Sequence, residues 1–149
     1  MTLRRAALTQ NMAEVAAALH QASGLPEHWD APAFGELLAM PGAGGELALS
    51  GDDPIGLILW RVAADEAEIL TICVQADERR RGAGRFLLTG AITAVTGVGV
   101  RRLYLEVAED NVAAIALYHG FGLRPQGRRP GYYHTSNGRV DALIFAKDL

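Results

Sequence analysis

Residues 68–107 read EILTICVQADERRRGAGRFLLTGAITAVTGVGVRRLYLEV, and this stretch decides the fold. The run from Glu68 to Val74 is almost wholly apolar after its first residue, as expected of a central strand buried on both faces. From Gly82 to about Val95 the residues Leu87, Leu88, Ala91, Ile92 and Val95 recur at helical spacing, and the glycines at 97 and 99 end the helix. Arg102 to Val107 alternates, with Leu103, Leu105 and Val107 on one face and Tyr104 and Glu106 on the other. Strand, helix, strand at this spacing is a parallel crossover unit.

On the N-terminal side, a short strand is expected at Leu3 to Leu8. Thr9 is placed to cap a helix carrying Met12, Val15, Ala16 and Leu19. Asp30 caps a second short helix with Phe34, Leu37 and Leu38, which the stretch Pro41 to Gly45 ends. Glu46 to Ser50 and Pro54 to Val62 are strands joined by a hairpin turn at Gly51-Asp52-Asp53. On the C-terminal side, Asn111 caps a helix over Val112 to His119, stopped by Gly120. Two further strands are expected near Phe121 to Gln126 and Val140 to Ala146. No repeat, linker or low-complexity tract divides the chain, so residues 1–149 read as one α/β domain.

Composition narrows the function. Fourteen basic against 17 acidic side chains give a net charge of −3, which disfavours non-specific nucleic-acid binding. No apolar run reaches the roughly 18 residues of a membrane span. Two arginines precede a partly apolar stretch at the N-terminus, but Gln10, Asn11, Glu14 and His20 interrupt it, so it is read as the start of the fold. The single cysteine, Cys73, excludes an intramolecular disulfide, and a reducing cytoplasm is the simplest home. His20, His28, His119 and His134 show no ligand spacing, so no metal is expected.

The chemistry lies in Glu78-Arg79-Arg80-Arg81-Gly82-Ala83-Gly84-Arg85. Three arginines crowd the start of a helix, whose dipole already disfavours cations there. Backbone N–H groups around Gly82 and Gly84 would hold an anion at that helix end, with phosphate the obvious candidate; the alternative is a solvated arginine cluster balanced by Asp77 and Glu78. A Walker loop needs Gly-Lys-Ser/Thr, and the only lysine is Lys147. A dinucleotide fingerprint needs a third glycine where Leu87 stands.

Arg79, Gly82 and Gly84 fit the Q/R-x-x-G-x-G/A acetyl-coenzyme A motif, and the segment resembles the GNAT superfamily of N-acetyltransferases. Leu105-Glu106-Val107, Asn111, Ala114 to Tyr118 and Gly120-Phe121 follow in the order of that superfamily. With Tyr132-Tyr133 and Asp141-Ala142, the pattern is similar to its RimI-type branch, which acetylates the N-terminal alanine of a ribosomal protein. The likeness is close from about Glu66 to Ala146. Before that only Trp29-Asp30 echoes a Trp-Ser step of the branch. The implied fold is a mixed, mostly antiparallel sheet with a splayed parallel strand pair and about four flanking helices.

By this resemblance, acetyl-CoA is the co-substrate. Backbone groups near Ile72, Cys73 and Val74 would pair with its pantetheine amides, and the Val74 N–H would polarise the thioester carbonyl. Arg79, Arg80, Arg81, Gly82, Ala83, Gly84 and Arg85 would cradle its phosphates, and Asn111 would bond to it. Glu106 is implied as general base and Tyr118 as the acid that protonates the departing thiolate. On residue chemistry alone, Glu106 reads as an ordinary exposed strand carboxylate, and the alternatives are a core aromatic for Tyr118 and simply a cap for Asn111. Cys73, inside an apolar strand, is read as structural and not as a nucleophile. Trp29 and Tyr133 are candidates for binding the acceptor, which is a peptide or protein N-terminus, or alternatively a small-molecule amine or lysine side chain. An α-amine is roughly 10–15% neutral at pH 7 and a lysine amine only about 0.04%, so the base has less to do for the former. Outside the enzyme class, the alternative is an acetyl-CoA-binding module without turnover. A monomer or homodimer is expected.

Overall fold

A computed structural model describes residues 2–27, 29–79 and 82–149. The strands are β1 (Leu3–Ala7), β2 (Ala43–Ser50), β3 (Asp53–Ala63), β4 (Glu66–Val74), β5 (Arg102–Ala108), β6 (Arg124–Thr135) and β7 (Gly138–Asp148). The α-helices are α1 (Ala13–Ala22), α2 (Ala31–Ala39), α3 (Ala83–Gly97) and α4 (Val112–Gly120). All seven strands form one sheet in the order β1-β2-β3-β4-β5-β7-β6. Only β4 and β5 run parallel; the other neighbours are antiparallel. The expected crossover unit is therefore present, with α3 as its connection.

Two apolar layers hold the sheet. On one face Leu87, Leu88, Ala91 and Val95 of α3 pack with Ile58, Trp60, Leu103, Leu105 and Val107, and Tyr118 and Phe145 extend the layer beneath α4. On the other, Ala16 and Leu19 of α1 and Phe34 of α2 pack with Leu57, Leu59 and Cys73. Truncating a fully buried member such as Leu88 to alanine would cost about 2–5 kcal/mol.

The feature that positions the site is a bulge in β4. Leu59 of β3 faces Thr71 while the next residue, Trp60, faces Ile69, so Leu70 is an extra residue with no opposite number. The inserted residue reverses the strand's alternation. Ile69 packs toward α3, Leu70 toward α1 and α2, and beyond them Ile72 and Val74 return to the α3 layer while Cys73 stays on the α1 side. The parallel ladder to β5 stops at Ile69↔Leu105, the residue before the bulge. From there the two strands part.

Three expectations need correction. Thr9 does not cap α1: a 3-10 turn, Gln10–Met12, precedes that helix, and the Thr9 side chain makes no capping bond. The turn instead closes through the backbone, Met12 N–H donating to the Thr9 carbonyl at 2.9 Å. The glycines of Pro41 to Gly45 do not all break the chain, because Gly44 and Gly45 lie inside β2. A Cβ on Gly44 would sit 2.7 Å from the Trp60 indole nitrogen, and one on Gly45 2.8 Å from the Ile58 carbonyl oxygen, so glycine here permits close approach. Finally, the strand expected at Phe121 to Gln126 begins at Arg124 and runs to Thr135. Pro125 and Pro130 disguise it, and β6 tolerates them as the sheet's edge, with its register shifting around Gln126 and again between Arg129 and Tyr133.

Candidate active site

The parted strands open a cleft of about 1220 Å³. Residues 69–74 of β4 form one wall and residues 105–108 of β5 the other, with the loop after α1, the start of α3, α4 and the end of β6 closing its sides. The backbone of Ile72, Cys73 and Val74 pairs with β3 along one edge and leaves the other facing the cleft. An extended chain carrying amides can add to such an edge.

At one end the cleft reaches the N-terminus of α3. Gly82 is the N-cap in the left-handed conformation (φ 80°), and no side chain caps the helix. The first N–H groups of Ala83, Gly84 and Arg85 thus lack a side-chain acceptor at a helix end that favours anions. Arg85 lines the cleft here, its guanidinium carbon 5.3 Å from the Phe121 ring centre. Arg79 also lines the cleft, but its guanidinium Nη2 donates to the backbone carbonyl of Ser23. Arg80 and Arg81 lie outside the described residues, as does His28. Asn111 caps α4 through its Oδ1, which accepts from Ala114 N–H at 3.2 Å, leaving its amide N–H2 group as a donor.

The same cleft is lined by Glu106, Tyr118 and Tyr133. Alternation along β5 turns Glu106 away from the Leu105 and Val107 layer, and its Oε1 accepts from Arg129 Nε at 2.9 Å. Tyr118 is buried on α4, edge-on to Phe145. Burial, with the nearby Glu27 carboxylate, pushes its hydroxyl well above the ordinary phenol range, so the proton is held firmly. Tyr133 is buried at the start of the last β6 pairs, opposite Val140. Burial and then the neighbouring Glu27 and Glu106 push its hydroxyl up as well.

Sequence reasoning had no handle on Glu27, which lies in a loop without periodicity, nor on Glu68. Glu68 shares the Glu106 face of the sheet, and its carboxyl is pushed up by burial and then by Glu106, against the pull of Arg129 and Arg61. The Asp141 expected from the pattern acquires a structural job. Its Oδ1 accepts from Gly131 N–H at 2.8 Å and its Oδ2 pairs with Arg128, fixing the bend (Gly131 φ 59°) just before Tyr132-Tyr133. Backbone donation and Arg128 hold the Asp141 carboxyl below its usual range.

Trp29 is not among the cleft residues: its indole stacks on the His20 ring at 5.1 Å and meets Phe34 edge-on, inside the α1–α2 layer. Cys73 presents backbone to the cleft while burial pushes its thiol up to about 12, which removes it as a nucleophile at neutral pH. No helix among the described residues is long and apolar enough to cross a membrane.

The splayed parallel strand pair is the arrangement the sequence resemblance implied; the bulge that parts it is added by the structure. The pattern that defines the Acetyltransferase (GNAT) family matches residues 12–123. The chain belongs to this family. It is a GNAT-type N-acetyltransferase. It is 42% identical over 101 residues to the [ribosomal protein bS18]-alanine N-acetyltransferase of Salmonella typhimurium, covering 67% of this chain and 68% of that one. The Escherichia coli enzyme of the same name is 44% identical over 88 residues, 59% of this chain and 60% of that one. The N-alpha-acetyltransferase RimI of Mycobacterium tuberculosis is 37% identical over 124 residues, 80% of this chain and 75% of that one. The crystal structure of the Escherichia coli ribosomal-protein-S18-alanine N-acetyltransferase superposes with a TM-score of 0.92 at 29% identity, covering 99% of this chain and 94% of that one. Arabidopsis thaliana NAA60 in complex with acetyl-CoA shares the GNAT fold, with a TM-score of 0.84 at 20% identity and 99% of each chain covered.

Proposed function

We propose that this GNAT protein transfers the acetyl group of acetyl-CoA to the N-terminal α-amine of a peptide or protein, with the N-terminal alanine of a ribosomal protein as its first candidate acceptor. The observation that carries the reading is that one cleft joins an open strand edge and a helix N-terminus to a carboxylate and two buried tyrosines. The first pair of features suits pantetheine and phosphates; the second suits an amine. The names of the 42–44% identical relatives supply the alanine acceptor. A cytoplasmic setting goes with such an acceptor.

Cofactor phosphates would rest on the N–H groups of Gly82 to Arg85, with Asn111 and the edge of Ile72 to Val74 holding the pantetheine arm. The amine nitrogen then attacks the thioester carbonyl carbon, forming the C–N bond, and the C–S bond breaks. Glu106 takes a proton from the amine, through a water where the reach requires one, and Arg129 keeps that carboxylate oriented. Tyr118 gives its proton to the departing sulfur. Burial keeps Tyr118 protonated at neutral pH, so it has a proton to give, and the same burial makes that donation costlier than from an ordinary phenol. The Val74 N–H is the candidate donor to the carbonyl oxygen as charge develops on it.

The test uses two peptides with acetyl-CoA, one with a free N-terminal alanine and blocked lysines, the other with a blocked N-terminus and free lysines, read by intact mass. A gain of one acetyl group on the first peptide alone is expected. Gain on the second alone moves the acceptor to lysine. Gain on neither, with acetyl-CoA binding established by calorimetry, points to a small amine or a binding module.

A further inference from the structure

The loop that follows α1 is tied to both halves of the cleft. At its start, Ser23 is buried and its Oγ donates to the His20 carbonyl at 2.6 Å. The Ser23 carbonyl accepts from Arg79, which lies 56 residues further along the chain. Glu27, at the other end, is a near neighbour of the Tyr133 hydroxyl of β6 and lines the same cleft. Residues 23–27, between these anchors, line the cleft.

Arg79 opens the Arg-x-x-Gly-x-Gly motif, where a phosphate contact was expected of it. Its guanidinium is instead turned to a backbone carbonyl, a bond that a charged donor makes strong. The helix N-terminus supplies phosphate donors without it. We propose that Arg79 is a positioning residue for the acceptor: it clamps Ser23 and so sets the Ser23–Glu27 loop against Tyr133 as a wall of the acceptor end. Resting on the acetyl-transfer reading, this makes the first residue of the cofactor motif a determinant of acceptor binding.

R79A and R79K test it, each compared with the parent enzyme in three measurements. For R79A, acetyl-CoA affinity by calorimetry stays within about twofold, while the KM for the N-terminal alanine peptide rises about tenfold, a larger change than in kcat. Amide hydrogen exchange across residues 22–27 speeds up about tenfold in the same variant. R79K keeps a charged donor and brings loop exchange back toward the parent value. An R79A protein with acetyl-CoA affinity weakened about tenfold and unaltered loop exchange would return Arg79 to the phosphates, and an R79K loop as loose as that of R79A would overturn the hydrogen-bond role. Should the parent acetylate no peptide, the acceptor reading alone fails, and affinity and exchange still decide the role of Arg79.

Discussion

The two ends of the cleft are built differently. The cofactor end is local: residues 69–85 supply the parted strand edge and the helix N-terminus in one short run of chain. The acceptor end is assembled from distant segments, Glu27 from the loop after α1, Glu106 from β5, Tyr118 from α4 and Tyr133 from β6. In the proposed function, backbone groups hold the ligand at the first and side chains at the second. Substitutions should therefore divide into those that weaken cofactor binding and those that spare it.

The largest effect is expected at the side-chain end. E106Q should lower kcat by about 10²–10⁴-fold and Y118F by about 10–10²-fold, with acetyl-CoA affinity unchanged in both. Steady-state kinetics beside calorimetry check this, and a parallel loss of affinity would erase the division between the two ends. In the cofactor end, G82A forces an L-residue into the left-handed conformation, at a cost of about 1–2 kcal/mol. It should weaken acetyl-CoA binding about tenfold and leave the peptide KM nearly unmoved. Y133F removes the hydroxyl that neighbours Glu27 in the cleft and should raise the peptide KM about fivefold without touching cofactor affinity.

The smallest effect concerns stability. Glu68 holds its proton more tightly in the folded protein than in the unfolded chain, because burial and Glu106 disfavour its charge. Its contribution is complete below the ordinary glutamate value of about 4.3 and is lost as pH rises through the raised one. E68Q should accordingly melt about 1–3 °C higher than the parent near pH 7, with the gain fading near pH 4. Equal gains at both pH values would remove the charge penalty as its cause.

The same contrast explains what the sequence made legible. The β4-α3-β5 unit was readable because apolar spacing and two glycines are local signals, and the alternation around Glu106 correctly separated it from Leu105 and Val107. The caps at Asp30 and Asn111 were legible for the same reason: each side chain accepts from the N–H three residues on. The Leu70 bulge left no mark, since an apolar run reads alike with or without an extra residue. Gly44 and Gly45 were left out of β2 because a glycine that follows a helix end and one that admits Trp60 or the Ile58 carbonyl inside a strand are the same letter. Glu27, Glu68 and the turning of Arg79 toward Ser23 depend on contacts between segments far apart in the chain, and no periodicity encodes them.

By the proposed function, one cleft holds acetyl-CoA on its backbone groups and an α-amine among its side chains, close enough to react. This pairing is tested most directly by measuring the affinity of coenzyme A joined through an acetyl bridge to the α-amine of an alanine-initiated peptide. Linking ligands that occupy adjoining sites should give a Kd at least about 10²-fold below that of either part. A conjugate joined through a lysine side chain of the same peptide should gain little. Equal affinity of both conjugates with coenzyme A alone would contradict the account.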